Sequence, residues 1–169
     1  MRNVNAIGVA KWFIWKNYTE QLENIIDDDT YEVYEGITHL KVQKLLYYAQ
    51  GICLAIYNFP LFNENIIAWP HGPVVKDVYS TFCDYGRSDI PFDDSWLEEV
   101  NEIENNEQIS EILNLTYDNY GGYTAWQLRE KSHVEGGPWQ VTVDTIGMNK
   151  IIKNDMIKKY FRENIVSNE

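Results

Sequence analysis

Ala6, Ile7, Ala10, Phe13 and Ile14 recur at steps of three and four, which places them on one face of a helix. The acidic run Asp27, Asp28 and Asp29 interrupts this pattern and reads as a surface loop. Thr38 is suited to cap the next helix, because its hydroxyl can accept a hydrogen bond from a free first-turn N–H. That helix is predicted from His39 to Tyr57, with Leu45, Leu46, Ala49, Cys53 and Ile56 as its apolar stripe. Gly51 lies inside it at a cost of about 1 kcal/mol relative to Ala, which predicts a neighbouring backbone packed closely against it.

Pro60 marks a turn, and the β-branched and aromatic residues 65–69 read as a strand or extended segment. His71, Gly72 and Pro73 form a turn, with Pro73 suited to the first position of a following helix that carries Val75, Val78, Tyr79 and Phe82 and ends at Gly86. Ser95 is expected to cap a helix from Trp96. A further helical pattern carries Ile109, Ile112, Leu113, Thr116 and Tyr120 and stops at Gly121 and Gly122. Thr124 with Gln127 three residues on is a capping box. Gly136, Gly137 and Pro138 form a loop, residues 141–143 suggest a short strand, and Asn154 is placed to cap a last helix with Met156, Ile157, Tyr160 and Phe161 facing inward. With no internal repeat or linker, the pattern predicts one mainly α domain over residues 1–169: a compact helical unit of about six to seven helices, with a small β-hairpin or short strands.

A chain of 169 residues with 44% hydrophobic side chains can build a core without a metal or disulfide. The 6 Trp and 12 Tyr serve that core first and a binding surface second. The net charge of −12 repels phosphate backbones, so neither nucleic acid nor an anionic membrane is an expected partner, whereas a basic protein is. Between residues 88 and 128 there is no Lys or Arg, and the acids there read as a solvated face or a docking patch. Cys53 and Cys83 lack any paired motif and fit free thiols in a reducing compartment. No apolar run reaches the roughly 18 residues of a membrane span, so a soluble, cytoplasmic protein is expected.

The chemistry-bearing residues are few. His39, His71 and His133 match no metal-ligand spacing, and there is no phosphate-binding loop, dinucleotide fingerprint or nucleophile elbow. No catalytic residue, cofactor or metal is therefore expected. His133 with Glu135 leaves acid–base catalysis as the enzymatic alternative. Trp69, His71, Gly72 and Pro73 read either as a turn docking a strand against a helix, or as a recognition loop on a rigid scaffold. His133 and Trp139 flank the second Gly-rich loop. Lys41 and Lys44 read as an exposed helix face with snorkelling stems, or as an anchor for an acidic group. Tyr47 and Tyr48 differ by about 100° around the helix, so only one is expected to face the core. Tyr48 is the candidate contact.

Three blocks carry a family resemblance: residues 38–51 (THLKVQKLLYYAQG), 60–82 (PLFNENIIAWPHGPVVKDVYSTF, with its Trp-x-x-Gly-Pro-Val core) and 122–139 (GYTAWQLREKSHVEGGPW). In this order and spacing the chain resembles the SocA-like antitoxin family, also called Panacea. The resemblance implies a protein-binding antitoxin, often phage- or mobile-element-associated, that neutralises a toxin from an adjacent gene by direct contact and has no catalytic set. The alternatives it leaves are an adaptor delivering a toxin to a protease, with the polar tail at 164–169 as docking segment, and a mobile-element protein of other regulatory role. The candidate partner-binding residues are Lys44, Tyr48, Trp69, His71, Gly72, Pro73, His133 and Trp139.

Overall fold

Thr38 Oγ1 accepts a hydrogen bond from the Lys41 N–H at 3.2 Å, and the helix it caps, α2 (His39–Tyr57), runs through the middle of the molecule. The computed structural model describes residues 4–26 and 35–166, so the acidic run at 27–29 lies outside the described residues. Around α2 lie α1 (Ala6–Ile26), α3 (Lys76–Phe82), α4 (Leu97–Glu104), α5 (Glu107–Tyr120), α6 (Ala125–Ser132), α7 (Pro138–Thr145) and α8 (Asn154–Phe161). A hairpin of β1 (Ile66–Trp69) and β2 (Gly72–Val75) completes the regular elements, with Ile66 paired to Val75 and Trp69 to Gly72. The fold is mainly helical, as the periodicity predicts.

Every residue from Lys41 to Ala55 is buried, because α1, α3, α5, α6, α8 and β2 all pack on α2. A helix enclosed on all sides does not sort its residues into an inner and an outer face. Two expectations fail for this reason. Tyr47 and Tyr48 are both buried, and Lys41 and Lys44 are buried too, not an exposed face. Gly51 does receive a close neighbour, but it is the Phe161 ring of α8 and not a backbone.

Other corrections are local. Pro73 belongs to β2 and does not open a helix, so α3 begins at Lys76. Residues 141–143 lie within α7: Pro138 stands in its first turn, and packing on β1 and α8 overrides the β preference of Val141 and Val143. Asp93, not Ser95, accepts the capping bond ahead of α4, at 2.9 Å from the Ser95 N–H. Asn154 is the first residue of α8 and makes no capping bond. The helical end Arg162–Val166 is described as far as Val166, and Ile165 and Val166 pack against the core, so this part of the tail is not frayed.

The hairpin has a third member. Residues 149–152 run alongside β1: Ala68 N–H donates to Lys150 C=O at 2.8 Å, and Ile152 N–H to Ile66 C=O at 2.8 Å, with Ile67 opposite Ile151. Most acids of the 88–128 stretch are exposed, and three of them tie helices together. Glu99 pairs with Lys11 at 2.7 Å, Glu104 accepts from Trp12 Nε1 at 2.6 Å, and Glu111 accepts from the Tyr57 hydroxyl at 2.7 Å. No described helix is long and apolar enough to cross a membrane.

Candidate partner-binding site

Gln43, Lys44 and Gln50 reach from α2 to the backbone of the chain that follows it. Gln43 Nε2 donates to Val75 C=O at 3.1 Å, and Gln43 Oε1 accepts from Val75 N–H at 2.8 Å. These are the two bonds a neighbouring strand would make, so one side chain closes the edge of β2. Gln50 does the same one step earlier, accepting from Leu61 N–H at 2.8 Å and donating to Phe62 C=O at 3.0 Å. Between them Lys44 Nζ donates to Pro73 C=O at 3.0 Å. All three side chains are buried; Gln43 and Lys44 hold β2 against α2, and Gln50 holds the loop that leads into β1.

The hairpin turn consists of Pro70 and His71, both exposed, between the paired Trp69 and Gly72. Gly72 has φ +109°, and a Cβ there would stand 2.9 Å from Lys44 Nζ and 3.0 Å from Ser132 Oγ. Only glycine combines that backbone angle with so close a floor. Trp139 Nε1 donates to Trp69 C=O at 2.8 Å, and the Trp69 ring meets Tyr79 edge-on at 4.8 Å. His133 lies 3.8 Å from the Trp139 ring, centroid to centroid, with Nδ1 2.6 Å from Arg129 C=O and Nε2 3.4 Å from Pro70 C=O. A carbonyl only accepts, so each favours a proton on the ring nitrogen that faces it, the closer Arg129 C=O more strongly.

The floor of this site is cationic. Burial brings Lys44 down to about 7, and the nearby Arg129 adds to the effect. His133 is lowered chiefly by burial, against the two carbonyls that favour its protonated form. Arg129 stacks over Trp126 at 4.6 Å and pairs with Glu130 at 2.7 Å, while its buried Nε finds no partner among the described residues. Burial pushes the Cys53 thiol up to about 12, which keeps it protonated at neutral pH. Among the described residues no group of three or more His, Cys, Asp or Glu side chains is placed to hold a metal ion.

Seven of the eight predicted residues meet here. Trp69, His71, His133 and Trp139 form a partly exposed face at the turn, and Lys44, Gly72 and Pro73 support it from below. That floor role makes Lys44, Gly72 and Pro73 supports and not surface contacts. Tyr48 lies elsewhere, buried and stacked on Tyr120 at 4.0 Å, where it can touch no partner of the folded protein. Reading the sequence missed Gln43, Gln50, Arg129 and Ser132. The glutamines did leave a signal: they stand seven residues apart, two helical turns on one face, within an otherwise apolar run.

A buried polar clamp thus lies beneath an exposed turn, with the supporting groups committed to the fold. The chain belongs to the SocA-like Panacea antitoxin family, whose model matches residues 42–140. That span holds the whole clamp, the hairpin, His133 and Trp139. Antitoxin SocA of Caulobacter vibrioides is 33% identical over 144 residues, which cover 78% of this chain and 75% of that protein. No solved structure matches the chain.

Proposed function

We propose that this chain is a non-catalytic antitoxin that neutralises a toxin, encoded by an adjacent gene, through direct protein contact. We assign the contact to the face at the hairpin turn: Trp69, Pro70, His71, His133 and Trp139. Family membership supports the antitoxin reading. The observation that carries the choice of face is the clamp, in which Gln43 and Lys44 fix the hairpin whose turn is exposed and Gln50 fixes the loop leading into it. A rigid scaffold under an exposed turn lowers the ordering cost of binding, and partly exposed Trp and His rings supply large contact area. The test is co-purification with the product of the adjacent gene. Wild type retains that protein, and His71→Glu combined with Trp139→Ala loses it at a temperature where the variant remains folded. Full retention by the double variant places the toxin elsewhere.

A further inference from the structure

Residues 149–152, bridged to the outer side of β1, leave their own far side open. In an antiparallel pair whose hydrogen bonds come from flanking residues, the paired residues turn their own N–H and C=O away from each other. Ile67 and Ile151 are such a pair, since the bonds around them run from Ala68 to Lys150 and from Ile152 to Ile66. Ile67 turns toward β2. Ile151 turns outward, and its N–H and C=O have no hydrogen-bond partner among the described residues.

The opposite edge, at β2, is closed by Gln43 and Lys44, so the fold seals one edge with buried side chains and leaves the other bare. Around the bare edge the surface is apolar: Ile146 and Ile151 are each 48% exposed and Met148 is 38% exposed, all within six residues of chain. It is also basic. Lys150 and Lys153 stand on and beside it, both exposed, in a chain whose net charge is −12.

We propose that residues 149–152 are a strand-addition site for an extended, acidic segment of a partner protein. The backbone of Ile151 exchanges its two hydrogen bonds with one partner residue, apolar partner side chains cover Ile146, Met148 and Ile151, and partner carboxylates face Lys150 and Lys153. A second copy of this chain is not the expected occupant, because edge-to-edge pairing brings two lysine-bearing segments together, and like charges repel. The site lies beyond residue 140, where the family match ends, and does not depend on the face at the hairpin turn.

The test uses the full-length chain, isotope-labelled, with amide exchange read at Ile151. The probes are two capped seven-residue peptides at millimolar concentration, one alternating Val with Asp and Glu, the other alternating Val with Lys. The acidic peptide is expected to slow Ile151 amide exchange at least tenfold, less so at high salt, and the lysine peptide to have no effect. Ile151→Asp reduces the protection at least tenfold. Lys150→Glu with Lys153→Glu exchanges the preference to the lysine peptide, which keeps the idea testable if Ile151→Asp disturbs the fold. Unchanged exchange with the acidic peptide, or equal protection by both peptides, overturns the proposal. So does protection that rises with protein concentration alone, which makes the occupant a second copy, or protection only by vesicles rich in phosphatidylserine, which makes it a membrane.

Discussion

The Phe161 ring of α8 occupies the space a side chain at Gly51 would need, so that a Cβ on Gly51 would overlap three of its ring carbons. Both residues are wholly enclosed, and the same ring packs against Tyr47 at 5.3 Å and Tyr48 at 5.8 Å. Helix propensity alone says that Gly51→Ala stabilises α2 by about 1 kcal/mol. The overlap reverses the sign: the expected result is a loss of about 1–3 kcal/mol, measured by urea unfolding. Adding Phe161→Leu should recover part of that loss, and strict additivity of the two would refute the contact.

Gln43 stands in for a missing strand, and removing it strands both polar groups of Val75 in a buried place. Gln43→Ala is expected to cost about 2–4 kcal/mol, with Gln50→Ala similar. Amide exchange at Val75 should speed up in Gln43→Ala before the chain as a whole unfolds. An unchanged rate would show that the clamp does not hold the edge.

Lys44 gives stability a pH dependence. Its folded value of about 7 lies below its ordinary 10.5, so between these the unfolded chain binds a proton that the folded chain does not. Stability therefore rises with pH across that window, with a slope approaching about 1.4 kcal/mol per pH unit, and the group contributes no slope below it, where both states are protonated. The buried Tyr47, Tyr48 and Tyr117, all raised, begin to oppose this near pH 10, where tyrosines of the unfolded chain ionise. Lys41, also lowered, adds to the rise, and Cys53, raised to about 12, begins to oppose it near pH 9, so urea unfolding at pH 7.5 and 9 reads Lys44 by comparison with Lys44→Met. Wild type gains stability between the two, and Lys44→Met shows a flatter difference.

Trp69 separates fold from binding. Its ring is only partly buried, so Trp69→Ala is expected to cost about 1–2 kcal/mol, below the 3–5 kcal/mol typical of a core Trp. Loss of the adjacent gene's product from the co-purified complex, at a temperature where the variant remains folded, marks Trp69 as contact. A loss of stability above about 3 kcal/mol with binding intact marks it as core.

Features set by neighbours in the chain were legible before the structure. Thr38 and the Thr124–Gln127 box cap helices where expected, and Asn65 through Trp69 holds β1, because each depends on groups a few residues apart. Features set by distant partners were not. The burial of Lys44 depends on a carbonyl 29 positions away, and a lysine without a nearby acid reads as exposed. Val141 and Val143 suggest a strand until α8 and β1 pack on them as a helix. Unusual composition at two turns singles out Trp69, His71, His133 and Trp139 as candidates, while their convergence rests on Trp139 reaching Trp69 across 70 positions.

The most direct test of the antitoxin reading is growth rescue. Each adjacent open reading frame is expressed alone, then together with this chain, and then with the His71→Glu, Trp139→Ala variant. The account predicts one neighbour that arrests growth, rescue by the wild-type chain, and no rescue by the variant although it accumulates to the same level. Neighbours that are all harmless when expressed alone, or a toxic neighbour that the wild-type chain fails to rescue, would contradict it.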